Sequence, residues 1–174
     1  MMIKHAYLVV LLFMSTLSFS QKNIFDVARS GTIDELKALM SINADTINVV
    51  DANGFSPLTL ACYKGSDELA VFLASKVKDI DGNSKYGTPL MAAVYKNREA
   101  VVKALLDFKA DPNKVDANGK IPLHYAVFNR NEALIKLLVD AGANPTLKDK
   151  RGDSALDYAK MTQNEAILKL INNK

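Results

Sequence analysis

The sequence predicts an all-α solenoid of about five stacked helix-turn-helix units with short β-turn connections. Three observations predict it. Pro57, Pro89, Pro122 and Ala155 follow one another at steps of 32, 33 and 33 residues. Leu58, Leu90, Leu123 and Leu156 keep those steps, as do Ala61, Ala93, Ala126 and Ala159. So do the acidic residues Asp67, Glu99, Glu132 and Glu165. Self-similarity at such a period marks a stacked array, because one unit of this size cannot bury its apolar face alone.

Residues 116–144 give the unit in full. Asp116-Ala117-Asn118-Gly119 is a turn, since Asn-Gly accommodates positive φ. Pro122 presets φ for the first helical turn, where its missing N–H has no acceptor to lose. Leu123, Ala126 and Val127 then sit at helical spacing. Asn131 is placed to cap a second helix and Glu132 suits its positive end. Leu134, Ile135, Leu137 and Leu138 give that helix an apolar face, and Gly142 ends it where a left-handed residue is wanted.

These motifs resemble ankyrin repeats. That family combines an Asp/Gly turn, Thr-Pro-Leu-His-x-Ala, a leucine-rich second helix and Gly-Ala. Gly87-Thr88-Pro89-Leu90 and Pro122-Leu123-His124-Tyr125-Ala126 carry the likeness, which spans nearly all of residues 22–174. It implies an ankyrin-repeat solenoid whose concave face binds partners.

Residues 1–20 are of a different kind. Lys4 and His5 make a basic start, residues 6–14 (AYLVVLLFM) an apolar run of nine, and Ser18 and Ser20 precede Gln21 at −3 and −1. This order describes a secretory signal peptide cleaved after Ser20. The other reading is an uncleaved anchor, for which the run is short, since a span needs about 20 residues. No cysteine near the junction suggests a lipid anchor. The Ser-Phe-Ser-Gln-Lys junction resembles signal peptides of Bacteroidetes-type bacteria. That resemblance implies an exported bacterial protein, periplasmic or secreted, with no stable membrane insertion after cleavage.

The ankyrin-repeat domain is expected over residues 21–174. Residues 21–50 are a degenerate N-terminal cap repeat: Phe25, Val27, Ala28, Leu36, Leu39 and Met40 keep helical spacing, Thr32 is a candidate N-cap, and the proline is missing. Atypical ends are what a solenoid requires. Residues 51–83 start a helix at Ser56-Pro57, and Cys62 stands where a small buried residue is expected. The return segment at residues 76–80 lacks Gly-Ala and should differ in shape. Residues 84–115 have a turn one residue shorter, and Lys109 takes the place of a left-handed glycine. In residues 116–148, Ile121 replaces the capping Ser or Thr, a loss of about 1 kcal/mol if nothing compensates. Residues 149–174 are the C-terminal cap repeat, with Ser154 as N-cap and Ala166, Ile167, Leu170 and Ile171 facing inward.

Composition narrows the chemistry. A net charge of +3 with scattered basic residues gives no track for a phosphate backbone, so no nucleic-acid partner is expected. One cysteine excludes an intramolecular disulfide, and there is no Cys/His cluster for a metal. No Ser-His-Asp arrangement or Gly-rich phosphate loop is present, so no catalytic residues and no cofactor are expected. His124, at the family's Thr-Pro-Leu-His position, is read as structural, and Asp51, Asp116 and Asp149 as bonding their own turn amides.

Two surfaces remain for recognition. Six residues after each aligned position stand Tyr63, Tyr95, Phe128 and Met161, which stacking places side by side at the edge of the concave face. Lys64, Lys96, Asn129 and Arg130 run beside them. Aromatic anchors with polar neighbours favour a protein interface, and the competing reading is that the rings pack on the next repeat and stabilise the stack. The turn tips carry Phe55, Tyr86, Lys120 and Arg151. Together the two would form an L-shaped groove. The expected function is binding of another protein, by a monomer, as inhibitor, immunity or protective factor. The alternative is a periplasmic small-molecule or cell-envelope-associated stress factor.

The register itself is testable. Leu123→Ala should lower unfolding free energy by about 2–5 kcal/mol in urea denaturation, as core truncations do. A loss below about 0.5 kcal/mol, the scale of surface substitutions, would show the register to be wrong.

Overall fold

The computed structural model describes residues 22–172. The expected signal peptide and its cleavage after Ser20 fall outside the described residues. Ten α-helices follow in pairs, with no strand among the described residues. They are α1 (Ile24–Ser30), α2 (Ile33–Ile42), α3 (Pro57–Lys64), α4 (Asp67–Ala74), α5 (Pro89–Tyr95), α6 (Glu99–Asp107), α7 (Pro122–Phe128), α8 (Glu132–Asp140), α9 (Ala155–Met161) and α10 (Glu165–Asn172). A 3-10 turn, Ala44–Asn48, follows α2. No described helix is long and apolar enough to cross a membrane.

The helices start where side-chain acceptors stand. Thr32 caps α2 in a full box with Glu35, Ser56 accepts from the Thr59 amide, Ser154 from that of Asp157, and Asn131 from that of Leu134. Ile121 has no acceptor to offer, and the loss is partly made good. His124 Nδ1 accepts the Ile121 N–H at 3.1 Å, which is the return half of a capping box.

Odd-numbered helices stack on one another in one layer and even-numbered helices in the other. Leu58, Leu90 and Leu123 from the first layer, and Leu69, Leu105, Leu134 and Leu138 from the second, are fully buried in one continuous core. Ala166 does not face inward as expected. Among the described residues the last helix has a neighbour on one side only; Ile167 and Ile171, one turn apart, take the buried stripe and Ala166 is exposed.

Polar side chains fix the repeats against each other. Asn48 Oδ1 accepts the Lys78 N–H at 2.9 Å, Asp81 Oδ1 that of Asp111 at 3.0 Å, and Asn113 Oδ1 that of Asn144 at 2.7 Å. On the other side, Arg98 reaches back one repeat. Its Nη1 donates to the Ala61 and Cys62 carbonyls at the end of α3, at 2.5 and 3.0 Å, and its Nε to Asp67 at 2.8 Å. Arg98 occupies the N-cap position of α6, which has no side-chain cap as a result.

The turns follow the sequence closely. Asp51, Asp116 and Asp149 each accept two amides of their own turn through Oδ1. The shorter third-repeat turn pairs Ser84 with Gly87, where its successor pairs Asp116 with Lys120. Lys109 has φ 72°, as expected of the residue in a glycine's place, and Gly142 has φ 95°. The loop after α4 has no left-handed residue, matching its missing Gly-Ala. Gly65 is needed for a different reason. A Cβ there would stand 2.6 Å from the Ala28 carbonyl oxygen of the preceding repeat.

Gly65→Ala should therefore force the first repeat away from the second and cost about 1–3 kcal/mol. Gly142→Ala, with open space around its Cβ, should cost only the left-handed penalty of about 1–2 kcal/mol. Hydrogen exchange separates the two, because only Gly65→Ala should loosen α1 and α2.

Candidate functional site

The period places a second column one helical turn before Tyr63, Tyr95, Phe128 and Met161. It consists of Leu60, Ala92, Tyr125 and Tyr158. In the fourth and fifth repeats the tyrosines fill this position. Tyr125 donates its hydroxyl to Asp116 Oδ2 at 2.5 Å, and Tyr158 to Asp149 Oδ2 at 2.9 Å. In the second and third repeats the same position holds Leu60 and the much smaller Ala92. A cleft of about 520 Å³ opens there.

Two parallel aromatic stacks wall the cleft, and each joins the second repeat to the third. Phe55 and Tyr86, from adjacent turn tips, have ring centroids 5.1 Å apart and planes 11° apart. Tyr63 and Tyr95, from α3 and α5, lie 6.1 Å apart at 11°. Leu60, Met91 and Ala92 line the space with them. Tyr125 closes one side, edge-on to Tyr95 with ring centroids 6.3 Å apart. Tyr63 is 39 % exposed, Tyr95 53 % and Tyr86 60 %. Lysines sit over both stacks: Lys85 Nζ is 4.9 Å from the Tyr86 centroid and Lys96 Nζ 5.0 Å from that of Tyr63. Such contacts are worth about 0.5–1 kcal/mol at exposed sites, so a better partner can displace them.

Of the residues singled out in the sequence, Phe55, Tyr63, Lys64, Tyr86 and Tyr95 line this one cleft, and Lys96 covers its edge. The aromatic strip is not continuous. Phe128 turns to Tyr158, 4.7 Å away, and lines a separate shallow hollow with Arg130 and Met161. Lys120 is not a free turn tip. Its ammonium lies 4.4 Å from the Phe128 centroid, 5.2 Å from that of Tyr158 and 3.6 Å from Asp149 Oδ2. Burial acts against the Asp149 charge. The Tyr158 hydroxyl, the Arg151 and Asp153 amides and Lys120 outweigh it and hold the carboxyl below its ordinary value. Asn129 is a clamp: its amide donates to the Val94 and Tyr95 carbonyls at 3.0 and 3.3 Å. Arg151 is exposed and belongs to neither hollow.

Other participants went unread in the sequence, Leu60, Met91, Ala92, Tyr125 and Arg29 among them. Leu60, Ala92 and Tyr125 were available from the i, i+3 neighbours of the aromatic column. Arg29 was not: it lies 3.8 Å from Asp51 Oδ2 only because the first repeat packs on the second.

The remaining reactive groups are tied down. Cys62 is fully buried, and burial pushes its thiol up to about 12. His124 is fully buried too. Its Nδ1 accepts from Ile121, so the proton is on Nε2, which faces the Asp153 carbonyl at 3.4 Å.

A family model for ankyrin repeats (3 copies) matches residues 24–116 and 101–174. The chain belongs to the ankyrin-repeat family. Curated relatives include mouse (Mus musculus) ankyrin repeat and SAM domain-containing protein 6, 33% identical over 91 residues, or 51% of this chain and 10% of the relative. The rat (Rattus norvegicus) protein of the same name is 36% identical over 99 residues, 56% of this chain and 11% of the relative. The chain thus spans about a tenth of the length of these relatives. Ankyrin repeats are in general protein-interaction modules and are typically non-enzymatic.

Burial lowers the His124 pKa against the pull of its backbone partners. The unfolded chain therefore takes up the proton first, at about pH 6.5. Stability is fully present above that value and declines as pH falls below it toward the folded value. The melting temperature should drop between pH 7.5 and 5.5. It should drop less in His124→Gln, which can still accept the Ile121 amide and does not titrate.

Proposed function

We propose that this chain is an exported, non-enzymatic ankyrin-repeat protein that holds another protein against its concave face and turn tips, as an inhibitor, immunity or protective factor. The observation that carries the binding surface is the pair of parallel aromatic stacks. Four large rings from two repeats are aligned before any partner arrives, and three of them are more than a third exposed. Rigid aromatic anchors in a preformed depression supply contact area at little ordering cost. The basic start, short apolar run and small residues before Gln21 support export to the periplasm or beyond. The scaffold has the repeats fixed by side-chain hydrogen bonds, which suits a surface that binds without rearranging.

A second reading keeps the compartment and changes the ligand. The cleft volume of about 520 Å³ lies within the range of small-molecule sites, about 300–1,000 Å³. A small envelope-associated molecule bound there would make the protein a stress factor.

Tagged protein and the Tyr63→Ala/Tyr95→Ala/Phe128→Ala variant should be compared by pull-down from periplasmic and secreted extract. One dominant protein retained by the wild type and lost from a variant of unchanged helicity is expected. Equal retention would move the binding site to another face. Retention of nothing by either would favour the small-molecule reading. A collapse of the variant's thermal transition would show that the strip holds the stack together.

A further inference from the structure

The cleft between the second and third repeats has a charge pattern that restricts what can enter it. Lys64 lines it, and Lys85 and Lys96 stand over its two aromatic walls. Among the described residues none of these three is ion-paired, whereas Lys78, Lys103, Lys120 and Lys136 each have an aspartate within 4 Å. Arg29 also lines the cleft and is itself paired, 3.5 Å from Asp26 and 3.8 Å from Asp51. Asp51 is the one carboxylate in the lining, and its Oδ1 is already held by the Asn53 and Phe55 amides. Three lysines without an ion-pair partner, around a carboxylate already engaged by its own turn and Arg29, leave the mouth electropositive above a floor of Leu60, Met91 and Ala92.

We propose that this cleft takes an acidic segment of a partner protein, in which a large apolar or aromatic side chain is flanked by Asp or Glu. The inference rests on the protein-binding reading above and names the chemistry of the partner. The apolar side chain enters between the Phe55–Tyr86 and Tyr63–Tyr95 walls, where Ala92 leaves the room that Tyr125 occupies one repeat later. The flanking carboxylates draw Lys85 and Lys96 off the ring faces and exchange a weak contact for an ion pair at the rim of a desolvated site. A basic segment meets repulsion from the three lysines. An uncharged one fills the floor and leaves the lysines without a counter-ion. Complementary charge also steers the encounter, so the association should be salt-sensitive.

The test is to pan a random peptide library on the purified protein and measure the enriched sequences by fluorescence anisotropy. Sequences with an aromatic or large aliphatic residue next to Asp or Glu are expected. Their affinity should fall about tenfold or more in Tyr86→Ala and in Lys64→Glu/Lys85→Glu/Lys96→Glu. All four positions are exposed, so both variants should keep the wild-type circular dichroism. Affinity should also fall as salt rises from about 50 to about 500 mM. Lysine-substituted peptides should recover binding to the charge-reversed protein. Enrichment of basic or uncharged sequences, or equal binding of acidic ones to the charge-reversed protein, overturns the proposal. Uncharged peptides lost on Tyr86→Ala would remove the acidic partner and leave the cleft as a protein-binding site. No peptide dependent on Tyr86 or the three lysines would remove both.

Discussion

A helix pair of about 33 residues cannot close its own apolar face, and every other feature of this protein follows from how the next repeat closes it. Leu58, Leu90 and Leu123 have no exposed area, yet each lies on a helix of only seven or eight residues. Helices that short are marginal in isolation. They persist because a neighbour of the same shape covers them on either side. Among the described residues the first and last helix pairs have a neighbour on one side only, and there the pattern relaxes. The first repeat has no turn-and-proline start, and the last helix buries only Ile167 and Ile171.

Apolar packing alone would allow adjacent repeats to slide. Hydrogen bonds that cross from one repeat to the next remove that freedom. Asn48, Asp81 and Asn113 each accept a backbone amide 30 or 31 residues further on. Arg98 and Asn129 each reach back to the carbonyl end of a preceding first helix. No fully buried side-chain nitrogen or oxygen among the described residues lacks a partner. That matters energetically, since an orphaned buried polar group costs about 1–3 kcal/mol. The same rigidity holds the Tyr63–Tyr95 and Phe55–Tyr86 stacks in register, so the surface is formed before it is used.

The cleft arises from a departure within the repeat. One position of the first helix carries Tyr125 and Tyr158 in two repeats and Leu60 and Ala92 in two others. Where tyrosine is present, it fills the space and caps the turn aspartate. Where it is absent, the aspartate of the second repeat turns to Arg29, and the space stays open. Lys120 shows the contrasting case. Between Phe128, Tyr158 and Asp149 it stabilises the stack and is not available to a partner.

The sequence by itself determined what each residue does inside its own repeat. Proline at the first helical position, the capping side chains, the turn aspartates, the shortened turn at Ser84 and the left-handed Lys109 all depend on neighbours within a few positions. Local spacing encodes those directly. Only the tertiary structure decided which candidates were still free. Asn129 and Lys120 look like surface recognition residues in one dimension and are consumed by contacts with residues 29 to 38 positions away. Arg29 and Arg98 look unremarkable and become a cleft cation and an inter-repeat clamp. Asn97, Arg130 and Gln163 adopt left-handed backbone with φ of 51–54° between paired helices, which no glycine announced. The physical reason is common to all of these. The period fixes that repeats stack, but a side chain's partner across the stack depends on offset and rotation between repeats, and those are set by packing of the whole array.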